Sequence, residues 1–138
     1  MKKTILIIIV FSIIASGSVF AGNKPVSLKS SVPEDGATAV AVDTAIELGF
    51  SSNVVNMTVS DNNLGCFSLL NAEGNEVEID VYLPDDQMEP ENKRNITLTP
   101  VKPLAPGTEY TLIISGELLA KNGNNLGKDN FVTFTTAE

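Results

Sequence analysis

The sequence predicts an all-β fold: an antiparallel sandwich behind an N-terminal signal peptide. Three observations predict it. After residue 21, apolar and polar residues alternate in segment after segment, the mark of half-buried strands. Clusters of Gly, Pro, Asn and Asp separate these segments at intervals of roughly ten residues, a spacing typical of sandwich strands. Beyond the N-terminal segment, no stretch carries a sustained helical period.

Residues 1–21 form the signal segment. Lys2 and Lys3 make a positive start, Thr4 to Ala15 an apolar run, and Val19-Phe20-Ala21 offers small-residue spacing for cleavage after Ala21. Ser16-Gly17-Ser18 interrupts the apolar run. It falls short of the roughly 20 apolar residues that a spanning helix needs, so a cleaved leader is favoured over a retained anchor. No cysteine lies near the cleavage point, which argues against a lipidated N-terminus. Removing 21 of 138 residues leaves one domain, residues 22–138, of 117 residues.

The strands follow in order. Val26 and Leu28 are expected at a sheet edge, before a turn-rich stretch with Pro33 and Asp35-Gly36. Ala39 to Val42 is short and apolar. Ile46, Leu48 and Phe50 point to one face, and Val55, Met57 and Val59 repeat the pattern, which places Met57 in the core. Asp61 to Gly65 reads as a turn and Phe67 to Leu70 as a short strand. Gly74 and Asn75 suit a tight reversal. Glu76 to Leu83 is the clearest strand, with Val77, Ile79, Val81 and Leu83 inward and an acidic outer face. A polar loop spans Pro84 to Asn92. Ile96 and Leu98 mark the next strand, closed by Pro100 and Pro103.

After the Pro106-Gly107 corner, Tyr110, Leu112 and Ile114 share one face of a strand. Glu117 to Lys121 is at most one helical turn. The turn Asn122 to Asn125 leads into a final strand, Asn130 to Thr136. There, alternation alone leaves open whether Phe131 or Val132 and Phe134 face the core. In all, about eight short strands are expected.

Composition excludes several function classes. Without Lys2 and Lys3, seven basic side chains stand against 17 acidic ones, a net charge of −10. That balance argues against nucleic acid and against anionic membrane surfaces. Cys66 is the one cysteine, so no intramolecular disulfide can form, and a buried inert thiol is expected. Histidine is absent, and no Gly-x-Ser-x-Gly elbow occurs. Without a visible nucleophile–base pair, the reading is not an enzyme, with no catalytic or cofactor-binding residue. Copper is disfavoured because it needs histidine or clustered methionine, and the mature chain has no histidine and only Met57 and Met88.

Asp85, Asp86, Glu89 and Glu91 supply oxygen donors of the kind calcium takes, but without an established calcium-loop spacing. A solvated acidic loop is the favoured account, and no metal residue is assigned. Asn56-Met57-Thr58 and Asn95-Ile96-Thr97 match glycosylation sequons within expected strands and are read as chance.

Three stretches carry a family resemblance. They are VPEDGATAVAVDTAIELGFS at 32–51, LAPGTEYTL at 104–112, and NGNNL at 122–126 followed by FVTF at 131–134. In this order they resemble the bacterial Ig-like domain of the SbsA type, found in surface-layer and other extracellular proteins. The segment from Asp61 to Asn92 is longer than that family's usual one. The resemblance implies an Ig-like sandwich of seven to eight strands and an extracytoplasmic setting, periplasmic or extracellular. It implies no activity, since sandwiches host many functions. Tyr110, just after a Pro-Gly corner, is placed to bury its ring and bond the turn backbone, like the tyrosine corner of Ig-type sandwiches.

The function expected is therefore a non-catalytic exported module for protein binding, adhesion or surface structure. Its partner would be an envelope or extracellular protein or a glycan. A small exported protein binding calcium or another ligand is the alternative. The acidic loop Pro84 to Asn92 is the expected contact surface, with loop tips and edge strands as the general candidates.

Overall fold

In a computed structural model describing residues 24–138, two sheets pack face to face. The expected signal segment lies outside the described residues. The strands are β1 Leu28–Val32, β2 Ala37–Val40, β3 Ile46–Phe50, β4 Phe67–Leu70, β5 Glu76–Val77, β6 Ile79–Tyr82, β7 Asn95–Pro100, β8 Glu109–Ile114 and β9 Asn130–Thr136. One sheet runs β1-β3-β7-β6 and the other β2-β9-β8-β4-β5. All pairs are antiparallel except β2 with β9, which is parallel. The sequence thus runs along one sheet edge as β1 and crosses to the other as β2. This is an Ig-like sandwich with both its first and its middle strands divided between sheets.

The core lies between the inner faces. Ile46, Leu48 and Phe50 of β3 and Ile96 and Leu98 of β7 are buried from one side. Leu69, Tyr110, Leu112, Ile114, Val132 and Phe134 are buried from the other. The register pairs Tyr110 with Phe134 and Leu112 with Val132, so the alternation of β8 determines that of β9. Phe131 is left on the outer face, 57% exposed. The Tyr110 and Phe134 rings stack with centroids 5.9 Å apart, a separation at which aromatic pairs attract beyond their area burial.

Four expectations need correction. The alternation of Val55, Met57 and Val59 is not a strand. Val55 and Val59 are buried but Met57 is 82% exposed. The Asn53 carboxamide oxygen accepts the backbone N–H groups of Val55 and Asn56, both at 3.0 Å, and Asn56 Oδ1 accepts that of Thr58 at 3.1 Å. Side chains thus satisfy donors that a ladder would have used, and the chain turns instead. For the same reason the Asn56 sequon lies in a loop, its asparagine buried.

The expected turn at Asp61 to Gly65 is a short helix, α1 (Ser60–Leu64). Glu76 to Leu83 is not one strand. β5 pairs with β4 and β6 with β7, so the chain changes sheets at Glu78. Its alternation survives because both sheets share one core, but at the margin Val77, Ile79, Val81 and Leu83 are only half-buried. Glu117 to Lys121 makes no helical turn. Leu118 and Ala120 are fully buried, and Leu119 bridges to Asn125.

Candidate binding surface

The acidic loop is folded onto the domain. Asp86 Oδ2 accepts hydrogen bonds from Asn53 Nδ2 and Asn56 Nδ2, both at 2.8 Å. These bonds, Asn56 foremost, hold its carboxyl below the usual carboxylate range, with smaller help from Gln87 and Lys121. Asp85 Oδ1 accepts the Gln87 N–H at 2.8 Å, and its carbonyl accepts that of Glu89 at 2.7 Å. Glu89 Oε2 accepts the Tyr82 hydroxyl at 2.7 Å and Oε1 the Asn92 side chain at 3.2 Å. Glu91 sits in a 3-10 turn, Pro90–Asn92.

Asp85, Asp86 and Glu89, expected as surface donors, thus accept from different partners: Gln87 within the loop, Asn53 and Asn56 outside it, and Tyr82 and Asn92 respectively. Among the described residues no three carboxylate, thiol or imidazole groups converge as a metal site would require.

The loop instead forms one wall of a groove of about 370 Å³ on the outer face of β1-β3-β7-β6, through Pro84 and Asn92. Two cross-strand rows make its floor: Ser30, Gly49 and Asn95, then Val32, Glu47, Thr97 and Tyr82. Gly49 deepens the first row, since a Cβ there would collide with Ser30 Oγ. Val32 and Tyr82 are more than half exposed at the two ends of the second. Glu89, accepting the Tyr82 hydroxyl, fixes that ring and pushes the phenol's pKa up. Sequence reasoning missed this surface. Its one signal was the row of outward residues on strands already identified, but their adjacency needs the sheet order.

The remaining singled-out residues have structural places. Cys66 is buried, and burial foremost, then the Glu117 charge, push its thiol pKa up. Such a thiol is a poor nucleophile. Tyr110 makes the expected corner, its hydroxyl accepting the Ala105 N–H at 2.8 Å. Met57 and Met88 are both exposed. Among the described residues no helix is long and apolar enough to cross a membrane.

Comparison with known proteins agrees with this architecture. No curated protein sequence matches the chain. Among solved structures, the N-terminal part of the bacterial S-layer protein SbsC superposes with a TM-score of 0.56 at 19% identity, over 83% of this chain and 24% of that one. CopC from Methylosinus trichosporium OB3b gives 0.57 at 17% identity, over 81% and 93%. The MG0-NIE-MG1 portion of Escherichia coli alpha-2-macroglobulin gives 0.58 at 18%, over 84% and 33%. At these identities the likeness is one of fold. The model of the bacterial Ig-like domain matches residues 22–136, and the chain belongs to that family.

Proposed function

We propose that this chain is an exported, non-catalytic binding module of the cell envelope that contacts its partner through the outer face of β1-β3-β7-β6. The observation that carries the reading is Tyr82, 53% exposed at the groove yet held by Glu89 at 2.7 Å. An aromatic side chain fixed before binding loses little entropy when a partner covers it. The groove's mixture of one aromatic, Val32 and hydrogen-bonding groups suits a protein or glycan surface. Export is supported by the N-terminal segment at residues 1–21 and by the fold's occurrence in S-layer protein SbsC, where it is one part of a longer chain.

The test has two parts. N-terminal sequencing of the protein recovered outside the cytoplasm should begin at Gly22; recovery only of uncleaved chain inside the cell would refute export. The exported protein, immobilised and exposed to envelope extract of its own cell, should retain a partner that Tyr82→Ala and Glu89→Gln release. Equal retention by wild type and both variants would remove the groove from the reading.

A further inference from the structure

The cations of this acidic chain are gathered at one end of the sandwich. The described residues hold seven, because two of the nine Lys and Arg lie at positions 2 and 3. Five of the seven line two grooves: Lys24 and Lys29 one, Lys93, Arg94 and Lys121 the other. The grooves adjoin, since Ser52 and Asn122 line both. None of the 17 Asp and Glu residues lines either one.

Backbone pairing brings these distant positions together. Lys121 N–H donates to Asn53 O at 2.8 Å, Val54 N–H to Lys93 O at 3.1 Å, and Phe50 N–H to Arg94 O at 2.8 Å. Ser51 N–H donates to Ser27 O at 2.9 Å, and Asn124 Nδ2 to Lys24 O at 2.8 Å. Three carboxylates adjoin this end: Glu34 and Asp35 share a neighbouring groove with Lys29, and Asp86 is bonded to Asn53 and influenced by Lys121. Asp86 is anchored by Asn53 and Asn56, and none of the three lines either cationic groove.

Like charges brought together repel, and in a chain this acidic their concentration opposes the mean field of the molecule. A ligand that neutralises them relieves that repulsion. We propose that this end of the sandwich, a surface separate from the Tyr82 groove, binds an anionic polysaccharide. The charge specifies an anion. The rest of the lining specifies a hydroxyl-rich one: Ser51, Ser52, Asn122 and Asn124 offer hydrogen-bonding groups between the cations, while the Asn53 side chain is engaged by Asp86 and the backbone of Val55 and Asn56. Among the described residues no aromatic side chain lines either groove, so they offer bases no stacking platform of the kind single-stranded nucleic acid uses.

The experiment measures binding of the exported protein to polygalacturonate, a polycarboxylate glycan, with neutral dextran and poly-glutamate alongside. Polygalacturonate should bind, and weaken steeply between about 50 and 500 mM salt as the charges are screened. Dextran should not bind, and poly-glutamate should bind more weakly. Lys93→Gln with Lys121→Gln should weaken polygalacturonate about tenfold. Lys102→Gln with Lys128→Gln changes net charge equally but lies outside both grooves, and should leave the affinity unchanged. All four lysines are exposed, so both variants fold. Tyr82→Ala should retain polygalacturonate binding, which separates this surface from the groove. No binding, equal loss in the two lysine pairs, or tighter binding of poly-glutamate would each overturn the proposal, the last in favour of an acidic protein partner.

Discussion

The side chain of Asn63 and the peptide groups of Leu119 exchange two hydrogen bonds across 56 residues of sequence: Nδ2 donates to Leu119 O at 2.8 Å, and Leu119 N–H donates to Oδ1 at 2.9 Å. The carboxamide stands where a neighbouring strand's peptide would. Its second N–H donates to Val54 O at 2.7 Å, and Oδ1 also accepts from Asn62 at 3.0 Å. Both donors and both acceptor positions of a wholly buried side chain are therefore used. Through it α1 holds the loop of residues 51–59 and the lobe of residues 117–127 to one another.

Asn63→Ala leaves the bonding groups of half-buried Leu119 and buried Val54 without their Asn63 partner. Each such group costs about 1–3 kcal/mol, so a loss on the order of 3 kcal/mol is expected. Asn63→Asp keeps the shape but turns both donors into acceptors facing carbonyl oxygens, and should cost at least as much at neutral pH. Urea unfolding midpoints measure both. A change in either variant of under about 1 kcal/mol would show that the network is not the anchor described.

Tyr110 and Thr136 clasp the peptide groups of Ala105 from two sides. The Tyr110 hydroxyl accepts its N–H at 2.8 Å, and Thr136 Oγ1 donates to its carbonyl. Tyr110→Phe keeps the ring against Phe134 and loses one bond at a residue open to water, so about 1 kcal/mol is expected. Tyr110→Ala also removes a buried ring and should cost about 3–5 kcal/mol. Near-equal costs in thermal or urea unfolding would mean that the hydroxyl, not the packing, carries the corner.

The parts of this fold that the sequence shows are those set by near neighbours. Ile46, Leu48 and Phe50, or Tyr110, Leu112 and Ile114, announce a strand because period two is local. The three resemblance stretches lie on or beside such strands. The same signal misleads at Val55, Met57 and Val59, where two asparagine side chains capture the backbone donors. Nothing local distinguishes Asn53 and Asn56 from the asparagines at ordinary turns. Their partner is Asp86, 33 and 30 residues on, and that pairing ties the acidic loop to the turn that Asn53 and Asn56 build. Lys24 and Lys121 are similarly far apart in sequence, and only the pairing of loop segments makes them neighbours.

Asp86 gives stability a definite pH dependence. Its folded pKa is depressed, chiefly by the Asn56 and Asn53 hydrogen bonds. The stabilisation it provides is therefore complete above the unfolded value of about 3.9. It is lost as pH falls through the lower folded value, where the unfolded chain has already taken up the proton. Asp86→Asn lacks the titration. The stability difference between wild type and variant should be constant from neutral pH to about pH 5 and shrink below pH 4. Unfolding midpoints of the pair at descending pH measure it, and an unchanged difference at pH 2–3 contradicts this account.

Gly116 is required by contact, not by conformation. A Cβ there would lie 2.7 Å from Lys128 Cα and N and 2.8 Å from its carbonyl carbon. These are backbone atoms, which no rotamer change can move. They are held close because Gly127 N–H donates to Gly116 O at 2.9 Å and Gly116 N–H to Asp129 Oδ1 at 2.9 Å. Gly116→Ala must push the two segments apart and break these bonds, at a cost of about 1–3 kcal/mol. Gly123 is the matched comparison. Its φ is +90° with nothing within 4 Å of an added Cβ, so Gly123→Ala costs only the backbone preference, about 1–2 kcal/mol. The two should differ in kind. Gly116→Ala should raise amide hydrogen exchange at Gly127 and across residues 115–118, whereas Gly123→Ala should confine its effect to the tip of its own turn. Protection at Gly127 unchanged in Gly116→Ala would mean that the segments separate without losing their hydrogen bond, and that the close approach is not what joins them.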